Sequence, residues 1–364
     1  METYLDSISR DKLKNLCKVG RLYEAERLLD QKGTARLRKT KKWTPLFVAV
    51  DRGFHSLVEL LLRYDHVQWD LEKAYGGAKR RRRNDLAGMI LRSSWWSADI
   101  DPVEALKTGD TELVCSLIAS GTDFTKPPIV KEAAMVSARG TIECLRAAKI
   151  SIEAVEDQLY EALIHHAGQG HLKSLVHLLK AGLDPHRQVA YYPGGEHDTM
   201  SAVNAAIHSR KPAILRMLKP SPEKDDPESL MGGAVFMGDH RILDVLLGVG
   251  FPLNCQKNGG SPVLNDVLHE AGLFQIRPNF RSSRPYDWPK FRATVDWLIG
   301  LGARWAGRDR DDYRHIRDSL IGIGEAGSKE IIGVMLDGKA ITEMELQKIL
   351  ATPRMMPIAR ALGR

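Results

Sequence analysis

The chain is poor in cysteine and does not pair the few it has. Its 364 residues include 4 Cys, and Cys17, Cys115, Cys144 and Cys255 form no CxxC pair, which argues against a zinc ribbon or disulfide framework and fits a reduced compartment. Long apolar runs are missing too: no stretch reaches the roughly 18 residues that a membrane span needs. The opening METYLDSISRDKLK has no apolar core of the kind a secretory leader carries. A cytoplasmic location is therefore expected, or a nuclear one in a eukaryote. No GxxxxGK[ST] loop occurs, and Gly322, Gly324 and Gly327 of GIGEAG follow a helical pattern rather than a strand, so no nucleotide-cradling loop is read here. Low complexity is also absent, because 43% hydrophobic against 27% charged residues supplies a core.

What the chain does have is internal repetition. A unit recurs in which a short apolar helix ends near Gly, a second apolar helix follows, and a Gly-containing turn closes it. The clearest copy is WTPLFVAVDRGFHSLVELLLRYD, from Trp43 to Asp65. Weaker copies run from Ala162 to His186, with Gly170-His171, Leu178-Leu179 and a turn from Gly182 to Pro185, and from Leu230 to Asn254, with Gly238, Leu246-Leu247 and Gly250. Others cover Leu13 to Asp30, Pro102 to Phe124, Ile129 to Ile150, Ser201 to Leu218, Ser261 to Trp305 and His315 to Gly338. Landmark glycines at 20, 53, 109, 140 and 170 set a spacing that, apart from the long interval between Gly53 and Gly109, stays near one period.

Thr44, Pro45, Leu46, Ala49, Gly53, Leu60, Leu61 and Leu62 make the second copy resemble the ankyrin repeat, whose period is about 33 residues. Phe47 stands in place of that family's usual His. Thr44 is expected to cap the first helix, with Pro45 in its first turn, where a missing N–H costs nothing. The resemblance implies an all-α ankyrin-repeat solenoid of about nine degenerate helix pairs with irregular connecting loops. It divides the chain into an N-terminal cap with the first repeats (1–71), a basic Trp-containing insertion or eroded repeat (72–101), repeats with loop insertions near 187–200 and 273–291 (102–341), and a C-terminal capping segment (342–364) whose Lys348, Arg354 and Arg360 would face water. A solenoid stabilises itself by stacking neighbours, since one helix pair cannot bury its own apolar face.

Catalytic and metal constellations do not assemble on paper. His165, His166, His171 and His177 cluster in sequence, but adjacent helical side chains diverge, and the expectation is a structural role with no metal bound. Glu196, His197 and Asp198 of GGEHD read as a polar turn with no nucleophile beside it. No cofactor and no enzyme activity are expected.

Charge carries the strongest functional signal. The net charge of +7 arises entirely in the first hundred residues, which sum to +8 while the remainder sums to −1. Two acid-free runs produce it: Lys32, Arg36, Arg38, Lys39, Lys41 and Lys42 in one, and Lys79, Arg80, Arg81, Arg82 and Arg83 in the other. Such a field suits an acidic protein surface or phosphates. As a run of like charges, the second is expected to contribute little packing. Tyr191 and Tyr192, in a projecting connection, are candidate aromatic anchors. Trp95 and Trp96 have two readings, base stacking or burial. The ankyrin resemblance implies a non-enzymatic scaffold that binds another macromolecule through its concave face and loops, and the expectation here is an adaptor or inhibitor of a protein partner. The alternative is a nucleic-acid-associated component gripping phosphates with the basic N-terminal third; neither a membrane span nor a small-molecule substrate is expected.

Overall fold

The computed structural model describes residues 7–32, 44–64, 68–94, 96, 98–190, 199–236, 240–255, 261, 263–265, 267–268, 288–305, 317–318, 320–321 and 323–363. These residues are mostly helical, as expected for an all-α chain, and they group into two compact units: residues 1–166 with 171–184, and residues 167–170 with 185–364.

In the first unit the helices are α1 (Ser7–Val19), α2 (Leu22–Lys32), α3 (Pro45–Arg52), α4 (His55–Leu62), α5 (Gln68–Arg80), α6 (Asn84–Leu91), α7 (Pro102–Thr108), α8 (Thr111–Ala119), α9 (Ile129–Ala147), α10 (Glu156–Gln169, its last three residues in the other unit) and α11 (Leu172–Lys180). Neighbours meet like with like: α1 packs on α3 and α3 on α5, while α2 packs on α4 and α4 on α6. Further along, α6 meets α7, and α9 packs against α7, α8 and α11.

The start of α3 shows why the chain folds this way locally. Thr44 is extended and its Oγ1 accepts the Phe47 N–H at 3.2 Å, while Pro45 takes the first helical turn, as expected from sequence. Gly53 ends the helix at φ 77, the left-handed region that glycine enters most cheaply. Asp101 and Asp110 cap α7 and α8 in the same manner. Between the helices, Leu46, Leu57, Leu61, Leu71, Leu86 and Ile90 are fully buried in one continuous cluster, each worth about 1.5–3 kcal/mol of transfer free energy.

Residues 68–91, which overlap the stretch read as an insertion or eroded repeat (72–101), hold the helix pair α5 and α6. Gly140 is not a left-handed turn glycine: it lies just past Ser137 (φ −142, ψ 72), the kink at which two helical segments of α9 meet without a connecting loop. Trp96 is half-buried, its ring edge-on to Tyr75 at 5.5 Å, which matches the burial reading; Trp95 lies outside the described residues.

The second unit repeats the arrangement with α12 (Ala202–His208), α13 (Pro212–Leu218), α14 (Pro227–Phe236) and α15 (His240–Gly248), where α12 packs on α13 and α14, and α15 packs on both α13 and α14. Before them a short hairpin pairs β1 (Val189–Ala190) with antiparallel β2 (Thr199–Met200). Then come α16 (Trp288–Gly300), α17 (Glu325–Asp337), α18 (Glu343–Leu350) and α19 (Met356–Ala361). Thr342 and Glu345 form a reciprocal capping box on α18, and Lys348, Arg354 and Arg360 are exposed as expected. All four cysteines are free thiols: Cys17 and Cys144 are buried, Cys255 is half-buried and Cys115 is exposed. Among the described residues no helix is long and apolar enough to cross a membrane.

Candidate interaction surface

The second basic run is folded, and folding divides it. A helix turns 100° per residue, so five successive side chains cannot share one face. Lys79 and Arg80 close α5, and Arg82 follows at φ 56, a left-handed residue whose N–H donates to the Lys79 carbonyl at 3.0 Å. The Arg83 N–H donates to the Ala78 carbonyl at 3.0 Å, completing the helix stop.

Three of the five cations are held within the first unit. Arg81 donates through Nε and Nη2 to Asp51 Oδ1 at 3.0 and 2.8 Å, joining the end of α5 to α3. Arg83 forks onto Asp85 at 3.0 and 2.7 Å and reaches the Gly53 carbonyl with Nη1 at 3.3 Å. The expectation that this run contributes little packing is thereby corrected for Arg81 and Arg83, because each brackets an acid or carbonyl of the neighbouring helix pair. Lys79 Nζ lies 2.7 Å from Glu104 Oε2. Arg80 and Arg82 are exposed and make no ion pair among the described residues.

Tyr75 and Lys79, one turn apart on α5, and Arg82 just beyond its end reach one cavity of about 330 Å³, completed by Glu104, Lys107 and Val136 from α7 and α9. Glu104 is its electrostatic centre. The Tyr75 hydroxyl donates to Oε2 at 2.7 Å, and Lys107 Nζ sits 3.1 Å from Oε1. Partial burial alone would raise this carboxyl, but hydrogen bonds from Lys79, Tyr75 and Lys107 outweigh it and hold the pKa down at about 2. Burial pushes the Tyr75 phenol up, and its bond to Glu104 adds to the rise. Three cations therefore face one anion around the cavity. Val136, 61% exposed, gives it an apolar edge.

A second concavity in the same unit, about 390 Å³, has the opposite character: Glu59, Asp85, Asp110 and Glu112 surround Arg92 and His55. Arg92 pairs with Asp110 and Glu112, and the exposed Glu59 pairs with Arg63.

The remaining sequence candidates are placed as follows. Lys32 ends α2 with its side chain outside the described residues, and Arg36, Arg38, Lys39, Lys41, Lys42, Tyr191 and Tyr192 lie outside them altogether. Sequence reading missed Tyr75, Glu104 and Lys107. The four-residue spacing of Tyr75 and Lys79 was the available signal for one of them, whereas Glu104 arrives from a different helix. His165 and His166, expected to point in different directions, both come together with His171, with ring centroids 5.3–6.3 Å apart. No known family model matches the chain, and no characterised protein compared with it gives a match.

Proposed function

We propose that the chain is a non-enzymatic interaction scaffold, a degenerate ankyrin-type array of stacked helix pairs that binds the acidic surface of a protein partner in the cytoplasm. The observation that carries the reading is the α5–α7 cavity, where Lys79, Arg82 and Lys107 surround a single carboxylate and Arg80 stands exposed nearby. An acidic side chain entering it meets excess positive charge, an apolar edge at Val136 and the Tyr75 ring. The like-with-like packing of successive helices, and the Thr44 cap followed by a left-handed Gly53, support the ankyrin-type array.

Phosphate would find the same charge attractive, so nucleic acid is the competing occupant. Trp96 favours protein, because its ring is engaged by Tyr75 rather than presented for base stacking. The test compares a labelled poly-glutamate peptide with a DNA duplex of mixed sequence, using the native chain and the double variant Arg80→Glu/Arg82→Glu. Peptide binding that is lost in the variant, with only weak duplex binding, supports the protein-partner reading. Tighter duplex binding that the variant abolishes supports the phosphate reading. Binding of both probes unchanged by the variant removes this surface from the proposal.

A further inference from the structure

Three imidazoles converge where α10 turns into α11. His165 and His166 sit near the end of α10, Gly170 makes the turn at φ 82, and His171 precedes α11. The main chain fixes the approach, since the His171 N–H donates to the His166 carbonyl at 3.0 Å. One nitrogen from each ring can be chosen so that all three lie within 4.8 Å of one another.

The hydrogen bonds determine which atoms are available. His166 Nε2 lies 2.9 Å from the Ala134 carbonyl, an acceptor only, so Nε2 carries the proton and Nδ1 presents a lone pair. That Nδ1 accepts from His171 Nδ1 at 3.0 Å, so His171 ligates through Nδ1 once its proton is carried on Nε2 instead. In metal sites a ligating histidine characteristically gives its other N–H to a backbone carbonyl or carboxylate, which sets the tautomer and aims the ring. His166 already has this outer contact, with Ala134 of α9 as its partner.

The geometry points to a tris-imidazole site for a divalent transition ion of the zinc class, with His165, His166 and His171 as ligands and a solvent-facing fourth position. Two nitrogens at about 2.05 Å from a tetrahedral ion stand about 3.3 Å apart, a few tenths more than the His166–His171 separation. His165 closes the rest of the gap by a side-chain rotation that its half-exposed position permits. The hydrogen bond between His166 and His171 accounts for two rings and gives no reason for the third. Burial lowers the pKa of both His165 and His166. An all-nitrogen set suits zinc, copper, nickel or cobalt rather than magnesium or calcium, which take oxygen ligands. His166 is buried and His171 exposed, so an ion enters from the His171 side. Once bound, it fastens α10 to α11 and, through the Ala134 contact, to α9. This inference stands apart from the acidic-partner reading and uses none of its residues.

The test titrates the full chain, stripped with a chelator, with Co²⁺ and then with Zn²⁺, and repeats this for His171→Ala and His165→Ala. The expected result is one tetrahedral Co²⁺ absorption spectrum per chain, displaced by Zn²⁺, a higher melting temperature with metal, and affinity reduced by more than about tenfold in each variant. His171 is exposed, so its replacement leaves the fold intact, which circular dichroism verifies. No tetrahedral spectrum, binding equal in His171→Ala, or binding only at millimolar metal, an adventitious ion only, overturns the site.

Discussion

Gly109 and Gly140 bring two backbones so close that a methyl group built on Gly140 stands 3.0 Å from the Gly109 Cα and 2.8 Å from Ser137 Oγ. Gly109 is the left-handed stop of α7 and Gly140 lies inside α9, so the contact joins one helix end to the body of the next. A missing side chain is what permits it. Gly140→Ala is expected to destabilise the chain by about 1–3 kcal/mol. Gly333→Ala, in open space within α17, is expected to stabilise by about 0.5–1 kcal/mol through helix propensity. Chemical denaturation of the two variants checks the contrast.

Leu61 is fully buried in the cluster shared by the first helices. Leu61→Ala is expected to cost about 2–5 kcal/mol through lost transfer energy and the cavity left behind. Nearest-neighbour packing confines the damage, so amide exchange should accelerate in α3–α6 and much less in α17–α19. Exchange that rises evenly along the chain contradicts the prediction.

Glu104 sets an acid-side limit on stability. Its carboxyl falls from 4.5 to about 2 on folding, so between those values the unfolded chain binds more protons than the folded one. The stabilisation is complete above about pH 4.5 and is lost as pH falls toward 2. Glu104→Gln should flatten this part of the stability-against-pH curve. It also leaves Lys79 and Lys107 without their counter-charge, so affinity for a poly-glutamate probe should rise. Urea midpoints across that window and a binding titration read the two effects.

Arg82 occupies a left-handed position that costs a non-glycine residue about 1–2 kcal/mol. Arg82→Gly is expected to raise stability by about 0.5–1 kcal/mol after glycine's own entropy cost, while weakening the acidic probe's binding. Improved folding together with reduced binding marks this arginine as retained for contact; a loss of stability refutes the argument.

Thiol chemistry separates the cysteines. Burial pushes Cys17 and Cys144 up to about 12, leaving almost no thiolate at neutral pH, whereas Cys115 is exposed. Iodoacetamide should modify Cys115 in the native chain and reach Cys17 and Cys144 only on unfolding, as peptide mass mapping will show.

Local rules made parts of this molecule legible. Thr44, Pro45 and Gly53 announce a helix start and stop because capping and left-handed φ depend on the residue itself and its near neighbours. The kink in α9 was not legible: Gly140 looks like a turn residue, yet its role is to admit Gly109, a contact between segments that linear spacing does not encode. The arginine run was misjudged for a similar reason, since Asp51 and Glu104 come from other helices. The convergence of the histidines was not legible because neighbours on an ideal helix diverge, whereas His171 folds back across Gly170 to meet both.

The division of Lys79–Arg83 also fixes what a salt titration would see. Five cations laid along duplex DNA would displace about five condensed counterions and steepen the double-logarithmic plot of affinity against salt by about 4.5. With Arg81, Arg83 and Lys79 already neutralised by Asp51, Asp85 and Glu104, the run has two charges left to give, and its share of the slope falls to about 2. The valence a polyanion meets here is set by the fold.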